Sequence, residues 1–320
     1  MIIVVRHATF NFQLLQNNQM PIIETQNLHF GFTKNELVLK DINLKIEKGT
    51  IYGFLGPNGA GKTTTIRLLL GLLIPSSGNI QLFDKSLATD SLKIFQNIGA
   101  MIETPSLYEH LTGFDNLQIT RKLKNISNKR IDQVLEIVKL TDASKTRVKA
   151  YSLGMKQRLG LALSLLSEPE LLILDEPTNG LDPQGMIETR ELLFKLNKDF
   201  GTTILISSHL LSEIEKIVTH LGIIKKGKMI FQGTIAELHN LQLEHSLIQL
   251  ETSNNQKAYS LLNNNYKASY NNEKGIQVVF ESREQVSHIC KTLIYAGLDI
   301  YHFNVASNNL EDIFLTITKN

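Results

Sequence analysis

A glycine-rich segment, residues 56–63, places the tightest constraint on the fold of this chain. It reads Gly-Pro-Asn-Gly-Ala-Gly-Lys-Thr and fits the pattern G-x-x-x-x-G-K-[ST]. The apolar run 51–55 before it is typical of a strand, and residues 64–70 after it are typical of a helix. Glycines let the loop curve so that its N–H groups point at an anion, and the helix N-terminus adds partial positive charge. Strand, loop and helix together predict an α/β fold with a site for a nucleoside triphosphate.

The motif predicts a role for each residue of this loop. Lys62 is expected to reach the β- and γ-phosphates, and the Thr63 hydroxyl is expected to be a ligand of Mg²⁺. The residues predicted to contact the nucleotide are Gly56, Pro57, Asn58, Gly59, Ala60, Gly61, Lys62, Thr63 and Thr64. The alternative is a glycine-rich turn that binds nothing, and the strand and helix patterns on either side argue against it.

A second pattern is an apolar run, residues 171–174, followed by Asp175 and Glu176. Four consecutive apolar residues suit a central parallel strand that is buried on both faces. Ligands of α/β sheets bind at the carboxyl ends of such strands. We therefore expect Asp175 to hold Mg²⁺ and Glu176 to accept a proton from the attacking water or to orient that water. Acidic residues at the solvent end of an ordinary strand are the alternative, which the preceding phosphate loop disfavours.

Residues 151–158 resemble the signature motif of the ATP-binding-cassette (ABC) ATPases, Leu-Ser-Gly-Gly-Gln followed by x-Gln-Arg. The chain keeps Ser152, Gly154, Gln157 and Arg158, and it has Tyr151, Leu153 and Met155 where the motif has Leu, Gly and Gln. A Ser hydroxyl and a Gly N–H at a helix start can bind an anion, so Ser152 and Gly154 are assigned to the nucleotide. If the segment is read alone, a plain helix cap at Ser152 is about as good an interpretation. The resemblance covers residues 22–233.

Three further positions match residues of this family. Residues 179–182 resemble its D-loop. His209 resembles the switch histidine that contacts the γ-phosphate, and a polar loop residue is the alternative. Phe32 matches the aromatic residue that stacks on adenine, although such a side chain, read alone, is more often part of a core.

Glu103 departs from the family pattern. Most ABC ATPases carry a Gln there, which touches Mg²⁺ and the membrane partner. A carboxylate serves Mg²⁺ at least as well as an amide, so Glu103 joins Thr63 and Asp175 as an expected metal ligand. The same Gln-to-Glu change resembles transporters of the bacitracin-resistance and lantibiotic-immunity type.

The resemblance implies a P-loop NTPase fold with an antiparallel β subdomain and an inserted α-helical subdomain at about residues 104–150. Residues 20–233 would form this ATP-binding domain, and residues 1–19 an N-terminal extension or a mis-called start. Residues 234–320 are interpreted as a small accessory α+β domain, with strands at 246–250 and 276–280 and a helix at 282–297. Residues 309–315 resemble the C-terminal helix of exporter-type subunits.

Composition limits the partners. The net charge of +2 over 320 residues gives no electrostatic case for binding nucleic acid. The single cysteine, Cys290, excludes an intramolecular disulfide and fits a reducing cytoplasm. No apolar stretch reaches the roughly 20 residues needed to span a bilayer, so any membrane part is expected to be another polypeptide.

The sequence therefore predicts the ATP-binding and ATP-hydrolysing subunit of a two-component ABC exporter, cytoplasmic and peripheral on the inner face of the cell membrane. Antimicrobial peptides are the candidate cargo. With one P-loop and one signature, the chain is expected to pair with a second copy of itself. A soluble ABC ATPase acting in translation or cofactor assembly is the alternative. A poorly catalytic immunity subunit that sequesters its partner is a third hypothesis.

A coupling surface to the membrane partner is predicted at residues 104–116. This segment follows Glu103 and contains Leu107, Tyr108, Leu111 and Phe114. Exposed apolar groups of this kind mark interaction surfaces. Packing of these side chains inside the helical subdomain is an equally good alternative.

Overall fold

The computed structural model describes residues 21–33, 36–244, 247–271 and 275–306 of the chain. The predicted extension 1–19 and the predicted C-terminal helix at 309–315 lie outside the described residues. The chain divides into two compact units, Met1–Gly233 and Thr234–Asn320. Within the ranges described, no helix is both long enough and apolar enough to cross a bilayer.

The first unit combines strands and helices. Its strands are β1 (Pro21–Phe30), β2 (Leu39–Ile42), β3 (Lys45–Glu47), β4 (Ile51–Leu55), β5 (Ser77–Leu82), β6 (Lys85–Ser86), β7 (Ile98–Met101), β8 (Leu171–Asp175), β9 (Thr203–Ser208), β10 (His220–Lys225) and β11 (Lys228–Thr234). Its helices are α1 (Lys62–Leu69), α2 (Leu87–Phe95), α3 (Gly113–Leu123), α4 (Lys129–Ile137), α5 (Leu153–Leu165), α6 (Pro183–Phe200) and α7 (Leu211–Ile214).

The central sheet of this unit has the order β11-β10-β4-β9-β8-β7. The pairs from β10 to β7 are all parallel. Every residue of β4, β8 and β9 is buried. Burial on both faces explains why β4 and residues 171–174 of β8 read as apolar runs in the sequence. The register places Asp175 of β8 opposite Ser207 of β9, so the ends of the central strands meet at one edge.

An antiparallel sheet packs beside the central one. Its strand order is β2-β1-β5-β6, with β3 also paired to β1. One apolar core joins this sheet to β4 and α1, through buried side chains such as Ile23, Phe54 and Ile66. The hairpin between β10 and β11 turns at Lys226 and Gly227, whose φ angles of 47° and 74° fit a type I′ turn. The predicted mixed α/β fold is confirmed.

The helical subdomain consists of α3 and α4, followed by a 3₁₀ turn at Val148–Ala150. A capping box opens α3: the Thr112 hydroxyl accepts a hydrogen bond from Asp115 N at 3.1 Å, and the Asp115 carboxylate accepts one from Thr112 N at 3.2 Å. Leu117 of α3 and Leu135 of α4 are buried at the junction with α5. Because α5 starts at Leu153, inside the signature segment, this segment packs against the helical subdomain.

The second unit is a helix followed by a βαββαβ structure. Its elements are α8 (Ile235–Glu244), β12 (Leu247–Thr252), α9 (Asn255–Leu262), β13 (Ala268–Asn271), β14 (Gly275–Val279), α10 (Arg283–Tyr295) and β15 (Ile300–Ala306). The antiparallel order β13-β14-β12-β15 is that of a ferredoxin-like sheet. α10 begins after its cap Ser282 and ends before Gly297, whose φ is 71°.

Candidate nucleotide-binding site

The glycine-rich loop connects the end of β4 to the start of α1 at Lys62. Two glycines are sterically required there. A Cβ added to Gly56 would lie 2.3 Å from the carbonyl oxygen of Ile224. Gly61 caps α1 with a φ of 112°, a conformation that residues with a side chain rarely adopt. The loop is thus held against β10 with its N–H groups at the start of a helix.

Lys62 lies at the mouth of this loop with only 6% of its surface exposed. Its ammonium group donates a hydrogen bond to the Gly56 carbonyl oxygen at 2.6 Å. The same group forms an ion pair with Glu176 Oε1 at 3.2 Å. The cation therefore connects the loop to the acidic end of β8.

Asp175 is fully buried at the end of β8, and both of its carboxylate oxygens accept hydrogen bonds. The Thr63 hydroxyl donates to Oδ2 at 2.8 Å. The Ser207 hydroxyl donates to Oδ1 at 2.5 Å and accepts from the Glu176 backbone N–H at 2.9 Å. These bonds offset the unfavourable burial of a carboxylate.

Glu176 follows directly and has a positive φ of 48°. For a residue with a side chain this conformation costs on the order of 1 kcal/mol. Three contacts hold it: Ser207 at its backbone, Lys62 at Oε1, and His209 Nδ1, which lies 2.8 Å from Oε2. The turn aims the carboxylate at the glycine-rich loop, whereas the Asp175 side chain points back into the strand ends.

A cavity of about 420 Å³ brings these groups together. Its lining consists of Val38, Pro57, Asn58, Gly59, Gly61, Lys62, Thr63, Thr64, Glu176, Asn179 and His209. Gly56 and Ala60 are buried beneath the loop surface. Phe32 lies outside this lining, 67% exposed, with its ring edge-on to Phe30 at 5.0 Å.

The signature residues line a different cavity, of about 370 Å³. Ser152 and Gly154 lie there beside Gly180, Leu181 and Asp182 of the segment that resembles the D-loop. The structure thus distributes the predicted binding residues over two surfaces of the first unit.

Comparison with known proteins decides the family. The family model described as "ABC transporter" matches residues 39–179. The bacitracin transport ATP-binding protein BcrA of Bacillus licheniformis is 43% identical over 299 residues, 92% of this chain and 97% of that protein. BcrA of Enterococcus faecalis is 40% identical over 295 residues, 92% of this chain and 95% of that protein.

This chain belongs to the ABC transporter family. The lantibiotic transport ATP-binding protein SrtF of Streptococcus pyogenes is 41% identical over 221 residues, 69% of this chain and 94% of that protein. The solved structure of cbiO1 from Clostridium perfringens, part of the ABC transporter complex cbiONQ, has a TM-score of 0.64 and 29% identity, and covers 69% of this chain and 92% of that one. The chain is an ATP-binding subunit of an ABC transporter, and its reaction is ATP hydrolysis.

The segment that resembles the ABC signature begins at a buried residue, Tyr151. Ser152 caps α5, because its hydroxyl accepts a hydrogen bond from Met155 N at 3.2 Å. Tyr151, which replaces the usual Leu, is buried, and its hydroxyl donates to the Ala143 carbonyl oxygen at 2.7 Å. Burial raises the pKa of Tyr151 above its usual value. A Cβ on Gly113, the first residue of α3, would lie 2.3 Å from this hydroxyl.

Replacement of Tyr151 by Phe is expected to lower the free energy of unfolding by about 1 kcal/mol, because the Ala143 carbonyl loses its donor. Urea unfolding followed by circular dichroism measures this change. The matched control is Tyr301→Phe, at an exposed tyrosine of the second unit, which should change stability by less than about 0.5 kcal/mol. Equal unfolding midpoints for the two variants would mean that the Tyr151 hydroxyl contributes nothing.

Two residues, Glu103 and Ser207, have hydrogen-bond partners that the sequence alone does not reveal. The Glu103 carboxylate, predicted to be a metal ligand, accepts a hydrogen bond from Arg67 Nη2 of α1 at 2.8 Å. Ser207, which links Asp175 to Glu176, was not among the predicted site residues. Its signal in the sequence is weak: two serines at the end of an apolar strand.

Proposed function

We propose that this chain powers a two-component exporter of antimicrobial peptides whose membrane-spanning part is a separate polypeptide. The observation that carries the proposal is the length of the match to the bacitracin transport proteins. It extends over 92% of the chain and so includes the second unit, whereas the match to SrtF covers 69%. The subunit would then lie in the cytoplasm at the inner face of the membrane.

The site supports binding of Mg-ATP. The Thr63 and Asp175 oxygens lie 2.8 Å apart at the end of β8, and hard cations such as Mg²⁺ take oxygen ligands. A bound Mg²⁺ would neutralise phosphate charge there. Glu103 can supply a further oxygen once its carboxylate leaves Arg67. Lys62 and the N–H groups of the loop would bind the phosphates.

Glu176 is proposed as the general base for the attacking water. Its carboxylate lines the cavity next to Lys62, and its positive φ fixes its direction. His209 would position this carboxylate through the 2.8 Å contact, and it also lines the cavity where the γ-phosphate would lie. Phe32 is exposed at the surface, where an adenine could stack on its ring.

A second copy of the chain is proposed to complete the site. Lys62 and Ser152 line separate cavities of the first unit. A head-to-tail pair would place Ser152 and Gly154 of each copy over the nucleotide of the other. Because the pair is symmetric, each of its two nucleotide sites joins the Lys62 surface of one copy to the Ser152 surface of the other.

The surface proposed to contact the membrane partner contains Tyr108, which is 53% exposed. Its backbone is fixed: Tyr108 N donates to Asn116 Oδ1 at 2.8 Å, and Asn116 Nδ2 donates to the Tyr108 carbonyl oxygen at 3.1 Å. Asn116 itself is buried. Phe114 is also exposed, whereas Leu107 and Leu111 are half-buried. An exposed aromatic side chain on a backbone that is held by hydrogen bonds suits an interface anchor.

Replacement of Tyr108 by Ala tests this proposal. The full chain is co-expressed with the membrane-spanning subunit of the proposed exporter, and the amount of membrane protein recovered with the chain from detergent is measured. We expect at least a tenfold loss, because buried aromatic anchors contribute about 2 kcal/mol or more at interfaces.

The control is Leu123→Ala, another exposed apolar residue, at the last position of α3, a helix about 15 Å long. It should leave the recovery unchanged. Both variants should retain the basal ATPase rate and melting temperature of the isolated chain. Undiminished recovery with Tyr108→Ala would contradict this assignment of the surface.

A further inference from the structure

An ion pair at the edge of the nucleotide site involves one residue that has no role so far. Nη2 of Arg67, in the last turn of α1, donates a hydrogen bond to Glu103 Oε1 at 2.8 Å. Glu103 is proposed above as a metal ligand beside Thr63 and Asp175. The ion pair therefore ties a proposed metal ligand to a cation on the helix that follows the glycine-rich loop.

The fold places this cation one helical turn from the proposed metal site. Arg67 follows Thr63 by four residues in α1, so the two side chains share a face of the helix, about 6 Å apart along its axis. The Thr63 hydroxyl donates to Asp175 Oδ2 at 2.8 Å. Since β7 pairs in parallel with β8, Glu103, two residues after β7, leaves the sheet at the edge where Asp175 lies. Its carboxylate nevertheless contacts Arg67.

The ion pair is open to exchange. The side chains of Arg67 and Glu103 are 40% and 60% exposed. Exposed ion pairs are weak, because water and salt screen the two charges. Glu103 also has a φ of 53°, which is uncommon for a residue with a side chain, so its backbone forms a defined turn after β7. A divalent cation bound at this edge can therefore compete with Arg67 for the carboxylate.

Charge at this edge gives the arginine a second effect. Glu103 is the third carboxylate there, with Asp175 and Glu176, and like charges that lie close together repel. Glu176 forms an ion pair with Lys62, and Asp175 accepts hydrogen bonds from two hydroxyl groups. Arg67 supplies the opposite charge for Glu103. Each of the three carboxylates thus has a partner before a metal ion binds.

We propose that Arg67 is a positioning residue, which holds the Glu103 carboxylate away from the metal site until a divalent cation bound with the nucleotide displaces it. This inference rests on the proposed function, in which Glu103 is a metal ligand. Because Glu103 must leave Arg67 before it can bind the cation, the ion pair lowers the affinity of the site for that cation. Removal of Arg67 should therefore tighten metal binding, but only when residue 103 is a carboxylate.

The test measures the affinity of the site for Mn²⁺, used in place of Mg²⁺, by electron paramagnetic resonance. The full chain is kept in excess over an ATP analogue with a nitrogen bridge between its β- and γ-phosphates, so that neither hydrolysis nor free nucleotide affects the result. We expect Arg67→Gln to tighten Mn²⁺ binding about two- to fivefold more in the wild-type chain than in the Glu103→Gln chain, the range of an exposed ion pair.

The comparison of these two backgrounds separates the ion pair from the loss of a positive charge, which both share. The matched control is Lys93→Gln, which removes an exposed cation of α2 whose ammonium lies 3.2 Å from Asp90 Oδ1. It should have equal, small effects in both backgrounds. All substituted side chains are at least 40% exposed, so the variants should keep the wild-type melting temperature.

Equal effects of Arg67→Gln in the two backgrounds would overturn the inference. If Glu103→Gln alone then weakens Mn²⁺ binding, Glu103 remains a metal ligand without a positioning role for Arg67. If neither Glu103→Gln nor Thr63→Ala changes Mn²⁺ binding, the proposed metal site fails as well.

Discussion

Replacement of Glu176 by Gln is expected to slow ATP hydrolysis by roughly 10²–10⁴-fold while leaving ATP binding intact. An amide cannot accept the proton of the attacking water, yet it keeps the size of the side chain. The contact with Lys62 loses its charge, so the lysine remains available to phosphate. Steady-state phosphate release measures the rate, and calorimetry measures binding.

The same variant should accumulate as an ATP-bound dimer, which size-exclusion chromatography detects. The control is Glu170→Gln, directly before the opposite end of β8, where the carboxylate forms an exposed ion pair with Lys48. This control should hydrolyse ATP at the wild-type rate. Wild-type turnover by Glu176→Gln would remove this residue from the catalytic role.

Replacement of Lys62 by Ala is expected to weaken binding of Mg-ATP by more than about 10²-fold. Each charge-assisted hydrogen bond to a phosphate contributes about 1.5–3 kcal/mol, and the ammonium is expected to contact two phosphates. Its burial at the loop mouth removes the screening that weakens surface charges. Calorimetry with Mg-ATP gives the dissociation constant.

Lys48→Ala provides the comparison, because this lysine is exposed and lies on the surface beside Glu170. Its affinity for Mg-ATP should equal that of the wild-type chain. A dissociation constant for Lys62→Ala within a few-fold of wild type would argue against the phosphate-binding assignment of the loop.

The parts of the fold that depend on local patterns could be predicted from the sequence. The apolar runs of β4 and β8 required buried parallel strands, and Thr112 with Asp115 required a helix start. The glycine-rich loop could be placed for the same reason, since its neighbours on both sides have clear periodicities.

Contacts between distant segments could not be predicted in this way. Ser207 meets Asp175 only because β9 pairs with β8 in one register, and the two residues are 32 positions apart. The Arg67 partner of Glu103 lies on α1, 36 positions away. Strands that are buried on both faces, such as β8 and β9, lack the alternating pattern that specifies register, so the sequence does not show which of their residues lie opposite each other.

The buried hydroxyl of Tyr151 makes the residue type allowed at position 113 depend on the residue at position 151. Its hydroxyl occupies the space that a methyl group on Gly113 would need. An ABC subunit with the usual Leu at the position of Tyr151 has no such hydroxyl, so an alanine could replace Gly113 there without this collision. The two positions should therefore covary among relatives, and exchanging this signature segment between subunits requires exchanging the first residue of α3 with it.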